Sequence, residues 1–205
     1  MKIISYLYIM KVNNEDRIRR LKLTCTIGNR HFHNGFEYID LGLPSGTKWA
    51  KYNVGATNEA EYGNYYQYGK GAAQYAVTSG QSDYEHTENP LLDSVDTARQ
   101  TWGGSWHMPT MAQFEELIAK TTYEWITING VNGGKFTASN GNSIFIPAAG
   151  YWYNGSHYDE GSNGYVWSSS PDVSYSAFYL RFCSEDKNVY NYVRKGGCSV
   201  RPVID

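Results

Sequence analysis

Tyr38-Ile39-Asp40-Leu41-Gly42-Leu43-Pro44-Ser45-Gly46-Thr47-Lys48-Trp49-Ala50 reads as a strand, a turn and a second strand. Pro44 presets its own φ and Gly46 accepts positive φ, so the reversal falls between two extended apolar segments. Asn53-Val54-Gly55-Ala56 comes next, and Thr57 can cap a short helix over Asn58–Tyr62. On the N-terminal side the texture differs. Leu21, Leu23, Cys25 and Ile27 alternate with Lys22, Thr24 and Thr26, the period-two pattern of a half-buried strand. Arg17, Arg19, Arg20 and Lys22 form a basic cluster that reads as a solvated face. Residues 1–37 are therefore expected to be a strand or attachment segment, and 38–205 one domain.

Toward the C-terminus, residues 69–90 are irregular and 93–101 suit a helix. The clearest helix is 111–120. Pro109 ends the preceding strand, Thr110 is its N-cap, and Gln113 completes a capping box. Phe114, Leu117 and Ile118 supply its apolar stripe. Ser143–Gly150 reads as a buried strand interrupted by Pro147. Ala177–Cys183 alternates, with Phe178, Leu180 and Phe182 expected inward and Tyr179, Arg181 and Cys183 outward. Val189–Val193 and Ser199–Val203 complete the strands. The class is α+β, with two or three short helices, small antiparallel sheets and much loop.

The 205 residues suffice for a real core, and a formal charge of −2 excludes an electrostatic nucleic-acid binder. Charged residues make up 19% and aromatics 16%, with 19 Tyr and 21 Gly. A mean hydropathy of −0.55 argues against membrane insertion. Tyr, Ser, Asn and Gly in this proportion are what binding surfaces use. The segment Met1–Met10 imitates a signal peptide, but Lys11 cuts its short apolar run and no small-x-small cleavage site follows. The expected location is the cytoplasm, or a virion such as a phage tail assembled there.

No nucleophile–base pair is nominated. Cys25, Cys183 and Cys198 lack metal or redox spacing, although a Cys183–Cys198 disulfide stays open. His31 and His33 are the only close histidines and have no third ligand, so surface or core roles are preferred to metal binding. Asp83, Glu85, Glu88, Asp93 and Asp96 do not follow a calcium-loop spacing and read as a solvated loop. Neither a nucleophile elbow nor a phosphate-binding glycine loop is present. No metal, cofactor or catalysis is expected.

Four blocks carry a family resemblance. They are Asp40–Ala50 with Asn53-Val54-Gly55-Ala56; Trp106-His107-Met108-Pro109-Thr110; Ile144-Phe145-Ile146-Pro147-Ala148-Ala149-Gly150; and Val166-Trp167-Ser168-Ser169-Ser170 with Ser199-Val200-Arg201-Pro202-Val203. In order and spacing, over about residues 38–203, they resemble the "major paralogous domain" family of gut bacteria and their phages. That resemblance implies a C-type lectin fold related to the formylglycine-generating enzyme domain. Val166 stands where that family usually has Tyr, and His107 where it has Arg. The Glu-Pro-Asn and Trp-Asn-Asp calcium motifs of sugar-binding lectins are missing, and Glu88-Asn89-Pro90 is only a scrambled near-match. Cys183 and Cys198 lack the flanking pattern of the enzyme's cysteine pair, which weakens an enzymatic reading.

Some members of that family are variable proteins of diversity-generating retroelements, in which template adenines mutate and AAY codons become NNY. The resemblance implies a variable region over about 151–198. From Tyr151 to Val193, Tyr, Ser, Asn and Asp supply 23 of 43 residues and Lys only one. The NNY-codable candidates for ligand binding are Tyr153, His157, Tyr158, Asp159, Tyr165, Asp172, Val173, Tyr175, Ser176, Tyr179, Arg181, Cys183, Asn188, Tyr190, Asn191 and Tyr192. The implied partner is a variable host-surface protein or glycan bound by a tail-fibre tip. A fixed bacterial adhesin and a formylglycine-generating-type enzyme are the alternatives, and core packing competes at Tyr52, Tyr62, Tyr65, Tyr66 and Tyr151.

Overall fold

The computed structural model describes residues 24–27, 30–71 and 87–205, the first group through its backbone only. The signal-like start, the basic cluster, Leu21, Leu23, Asp83 and Glu85 lie outside the described residues. The first part of the chain forms β1 (Thr24–Ile27), β2 (Arg30–His33), β3 (Phe36–Asp40), β4 (Lys48–Ala50) and β5 (Tyr66–Gln67). Two helices follow, α1 (Thr97–Trp102) and α2 (Met111–Lys120), and then a meander of β6 (Thr121–Ile128), β7 (Val131–Ala138) and β8 (Ser143–Pro147). The remainder is β9 (Tyr151–Tyr153), β10 (Ser156–Tyr158), β11 (Gly164–Pro171), β12 (Ser176–Phe182), β13 (Lys187–Val193), β14 (Gly197–Cys198) and β15 (Val203–Ile204).

The strands build four antiparallel sheets, ordered β1-β2-β3-β4-β15, β10-β9-β14-β5, β11-β12-β13 and β6-β7-β8. The described residues are thus α+β, mostly antiparallel sheet with two helices. The boundary expected between residues 37 and 38 falls inside β3, so β2 and the C-terminal β15 belong to one hydrogen-bonded sheet. The opening strand–turn–strand forms as read: Gly46 N–H donates to Leu43 O at 2.9 Å, and Tyr38 pairs with Ala50. α2 also starts as read. Thr110 and Gln113 exchange both capping-box bonds, and Ser170 Oγ takes the orphan N–H of Met111 at 3.1 Å.

Two expectations are corrected, and one open alternative is decided. Asn58–Tyr62 forms turns instead of a helix. Asn58 Oδ1 accepts from Ala60 N at 3.0 Å and Glu61 N–H reaches back three residues to Asn58 O at 3.3 Å, so the segment closes as a turn and no i-to-i+4 ladder follows. The expected strand Ser199–Val203 is split, because the chain leaves β14 in one sheet and enters β15 in another across Pro202, which has no N–H to give. Cys183 and Cys198 are both free thiols.

In the β11-β12-β13 sheet, β11 and β12 lie at the centre, covered on both faces, while β13 is partly open to solvent. One face packs on Trp49, Phe114, Leu117, Phe136 and Ile146 through Val166, Leu180 and Phe182. The other packs on Tyr66, Tyr68, Trp102, Trp106 and Cys198 through Tyr165, Trp167, Ala177 and Tyr179. Gly150 and Gly164 bridge where the second layer meets this sheet. A Cβ at Gly164 would stand 2.0 Å from the Phe182 ring, and one at Gly150 would stand 2.1 Å from Tyr158 O, so neither position admits a side chain. Arg201, wholly buried, joins three of the quoted blocks. Its guanidinium donates to Asn53 Oδ1 (2.8 Å), Ala50 O (3.1 Å), Lys51 O (2.7 Å) and Phe145 O (2.9 Å). Loss of water around it pushes its pKa down to about 9.

Candidate functional site

Pairing across β11-β12-β13 sets which side chains share a face. Trp167 lies opposite Tyr179, and Tyr179 opposite Tyr190; Tyr165 pairs with Arg181, and Arg181 with Asn188; Ala177 pairs with Tyr192. Directly opposed residues point the same way. These residues therefore make one aromatic face, and the β9–β10 hairpin continues it through Tyr151, Tyr153 and Tyr158.

The rings touch in an unbroken network. Tyr151 lies 5.3 Å from Tyr158, 4.8 Å from Tyr165 and 5.4 Å from Tyr192, measured between ring centroids. Tyr179 lies 5.6 Å from Tyr165, 6.4 Å from Tyr190 and 6.1 Å from Tyr192, and meets Trp167 edge-on at 5.9 Å. Tyr153 joins through Tyr192 at 6.1 Å. These separations are those of favourable aromatic pairs.

Burial divides the network into floor and rim, which corrects the outward placement of Tyr179. Tyr179 is 6% exposed, Tyr165 9% and Ser176 5%. The alternation along β12 is real, but the face opposite Leu180 and Phe182 is roofed by Tyr151, Cys198 and Trp167. Phe178, expected inward, is only half-buried. Tyr158, Tyr175, Tyr190 and Val173 project into solvent at 42%, 57%, 38% and 44% exposure. Asp159, Asp172, Asn188 and Asn191 are exposed, whereas Tyr153, Arg181, Cys183 and Tyr192 are half-buried.

Not every candidate joins the patch: Asn191 pairs with Phe178 and Ser176 with Val193, so both point to the other face of the sheet. His157 lies on the opposite side of the β9–β10 hairpin, stacked on Trp152 at 4.9 Å. Its Nε2 faces Ala149 O at 2.9 Å and its Nδ1 faces Glu160 at 3.1 Å. Cys183 belongs to the hairpin turn, where its N–H donates to Asp186 O at 2.8 Å. Residues 172–175 form a loop above β12 held from below by Arg194. That guanidinium donates to Ser176 O at 3.0 Å and Val173 O at 2.9 Å, and lies 5.1 Å over the Tyr68 ring.

Polar groups fix the rim. Tyr165 donates to Asp159, Tyr190 to Asp186 at 2.9 Å, and Asn191 and Ser176 to Asp172 at 2.9 and 2.8 Å. Arg181 donates to Asn163 at 2.9 Å. Asp159, Asp172 and Asp186 thus end on neutral donors and enter no ion pair with a described residue. Burial pushes the Tyr179 phenol up to about 12 and raises those of Tyr165 and Tyr192 as well. The Asp186 carboxylate that accepts its hydrogen bond, more than burial, raises that of Tyr190. Burial likewise holds the Cys198 thiol protonated, far from a nucleophilic thiolate.

Sequence reasoning assigned Tyr151, the hub of the network, to core packing, and passed over Asp186 and Asn163, which hold Tyr190 and Arg181. The Ser184-Glu185 turn between two strand patterns was the available signal for Asp186. His33, weighed above as half of a metal pair, is 3% exposed and accepts from Ser105 N at 3.1 Å. Two clefts of about 550 and 290 Å³ lie elsewhere, the first between Leu41–Pro44 and Ala119–Thr122, the second beside Arg99 and His107. No helix among the described residues is long and apolar enough to cross a membrane. Comparison with protein-family models, with curated proteins and with solved structures found no match to this chain.

Proposed function

We propose that this chain is a non-catalytic binding protein whose tyrosine face recognises a macromolecular target. The observation that carries the reading is the division of one continuous tyrosine network into a buried floor and an exposed rim. A rigid floor orients rim side chains at little entropic cost, and tyrosine offers large contact area with few rotamers. The finer reading rests on the resemblance of the quoted blocks. It is a C-type lectin fold carrying a retroelement-diversified region over about 151–198, with a phage tail-fibre tip and a host-surface protein or glycan as its setting and target. The rim positions Tyr158, Asp159, Asp172, Tyr175, Asn188 and Tyr190 are NNY-codable and exposed, as a diversified surface requires.

The test is the DNA around the gene. A near-copy of the segment coding for residues 151–203, beside a reverse transcriptase gene, with mismatches confined to template adenines, is expected. Mismatches spread over all four bases, or no copy, would refute diversification.

A further inference from the structure

The tyrosine face ends at an open strand. β13 is the outer strand of its sheet among the described residues, whereas the opposite edge is covered. There, Trp167 N–H donates to Ser199 O at 3.0 Å and Ser199 N–H to Tyr165 O at 3.1 Å.

The direction of each β13 amide follows from two bonds that bracket the ladder. Arg194 N–H donates to Tyr175 O at 3.0 Å, and Cys183 N–H to Asp186 O at 2.8 Å, in the register that pairs Tyr179 with Tyr190. Hydrogen-bonded and non-bonded pairs alternate in an antiparallel ladder. Asn188, Tyr190 and Tyr192 therefore turn their backbone groups toward β12, and Lys187, Val189, Asn191 and Val193 turn theirs outward. Two contacts agree: Asn188 Oδ1 covers the Val189 N–H at 2.9 Å, and Val193 O accepts from Gly196 N at 3.0 Å. The N–H and C=O of Lys187 and Asn191, and the Val189 C=O, meet no backbone partner among the described residues.

Such a row is a template for another strand, and soluble proteins usually blunt it with proline, bulges or charge. β13 has no proline and a single charge, Lys187 at its first position. Two carboxylates lie within reach of its side chains and enter no ion pair with a described residue: Asp186, which accepts from Tyr190, and Asp172, which accepts from Asn191. Glu185 is exposed in the turn that leads into the strand.

We infer that the outer edge of β13 pairs with an extended polypeptide segment of the target that carries Lys or Arg side chains. This rests on the binding-face reading above and narrows the target to protein. Only a peptide backbone repeats N–H and C=O groups at the spacing of Lys187, Val189 and Asn191. A cationic side chain on that segment would find Asp186 or Asp172 without displacing an existing ion pair, and the exposed Tyr190 ring offers it a π face.

The experiment selects random peptides of about twelve residues by display against the full chain. Selected peptides should bear Lys or Arg at alternate positions and bind more weakly as salt rises. Methylating the peptide amides that face β13 should weaken binding by roughly tenfold or more, while methylating the alternate amides should leave it unchanged. Amide shifts on binding should centre on Lys187, Val189 and Asn191. Affinity indifferent to methylation register, or shifts centred elsewhere, would overturn edge pairing and leave the face reading standing. So would glycan-array binding, lost in a Tyr158→Ser/Tyr190→Ser variant, with no peptide selected. Concentration-dependent self-association that shifts the same amides would make a second copy the occupant and overturn the inference. An absence of any peptide or glycan binding would overturn the inference and the binding-face reading together.

Discussion

Tyr179 and Tyr190 face each other across β12 and β13 with ring centroids 6.4 Å apart, yet one is 6% exposed and the other 38%. Neighbours on one face thus have opposite duties. Tyr179→Ser should cost about 3 kcal/mol or more, because it empties a packed aromatic site. Tyr190→Ser should change stability by less than about 1 kcal/mol while weakening target binding. Tyr179→Phe should be nearly neutral, since its hydroxyl has no hydrogen-bond partner among the described residues. Urea unfolding of the three variants measures this; equal losses at both positions would erase the distinction between floor and rim.

Arg201 is the buried cation most exposed to loss of its partners. Arg201→Met removes a charge but orphans Asn53 Oδ1 and the carbonyls of Ala50, Lys51 and Phe145. A loss of about 3 to 5 kcal/mol is expected, and Arg201→Lys should recover only part of it, because an ammonium cannot span four acceptors. The check is the denaturation midpoint of each variant.

Alkaline pH should unfold the protein through its phenols. Tyr179 is raised to about 12 in the fold against the ordinary tyrosine value of 10.0, so its contribution is complete below pH 10 and is lost as pH rises toward 12. Tyr165 and Tyr192 shift in the same direction. Tyrosinate absorbance should lag behind that of free tyrosine and then rise together with loss of near-ultraviolet dichroism. Smooth titration of all phenols near pH 10 in folded protein would contradict the buried floor.

Arg194 ties the loop above β12 to the scaffold. Arg194→Ala should speed amide exchange across residues 172–176 and cost about 1 to 2 kcal/mol, because the carbonyls of Val173 and Ser176 each lose one of two donors and keep only a backbone N–H. Exchange unchanged in that loop would show that it is held by something else.

Local chemistry made some elements legible. The Thr110–Gln113 capping box, the Pro44–Gly46 turn and the apolar Ile144–Ile146 run each carry their cause within a few residues, and each formed. Period-two alternation along β12 separated the Leu180 and Tyr179 faces correctly. It could not show that both would be covered, because the roof over Tyr179 comes from Tyr151 and Cys198, distant in sequence. The same limit hid Arg201, an ordinary arginine until Asn53 and Phe145 converge on it. At Asn58–Tyr62 a plausible cap leads only into turns, and Pro202 divided what read as one strand. Of the candidate residues, the exposed rim was recognisable from composition and spacing, whereas the depth of Tyr165, Ser176 and Tyr179 needed the second layer.

The exposed tyrosine rim, on a fixed floor, is proposed as a surface diversified for binding. Sequencing this gene across many isolates decides it. Substitutions should concentrate at Tyr158, Asp159, Asp172, Tyr175, Asn188 and Tyr190, while Tyr165, Ser176, Tyr179 and Arg201 stay constant. Equal variation at rim, floor and scaffold positions, or a rim as constant as the core, would contradict it.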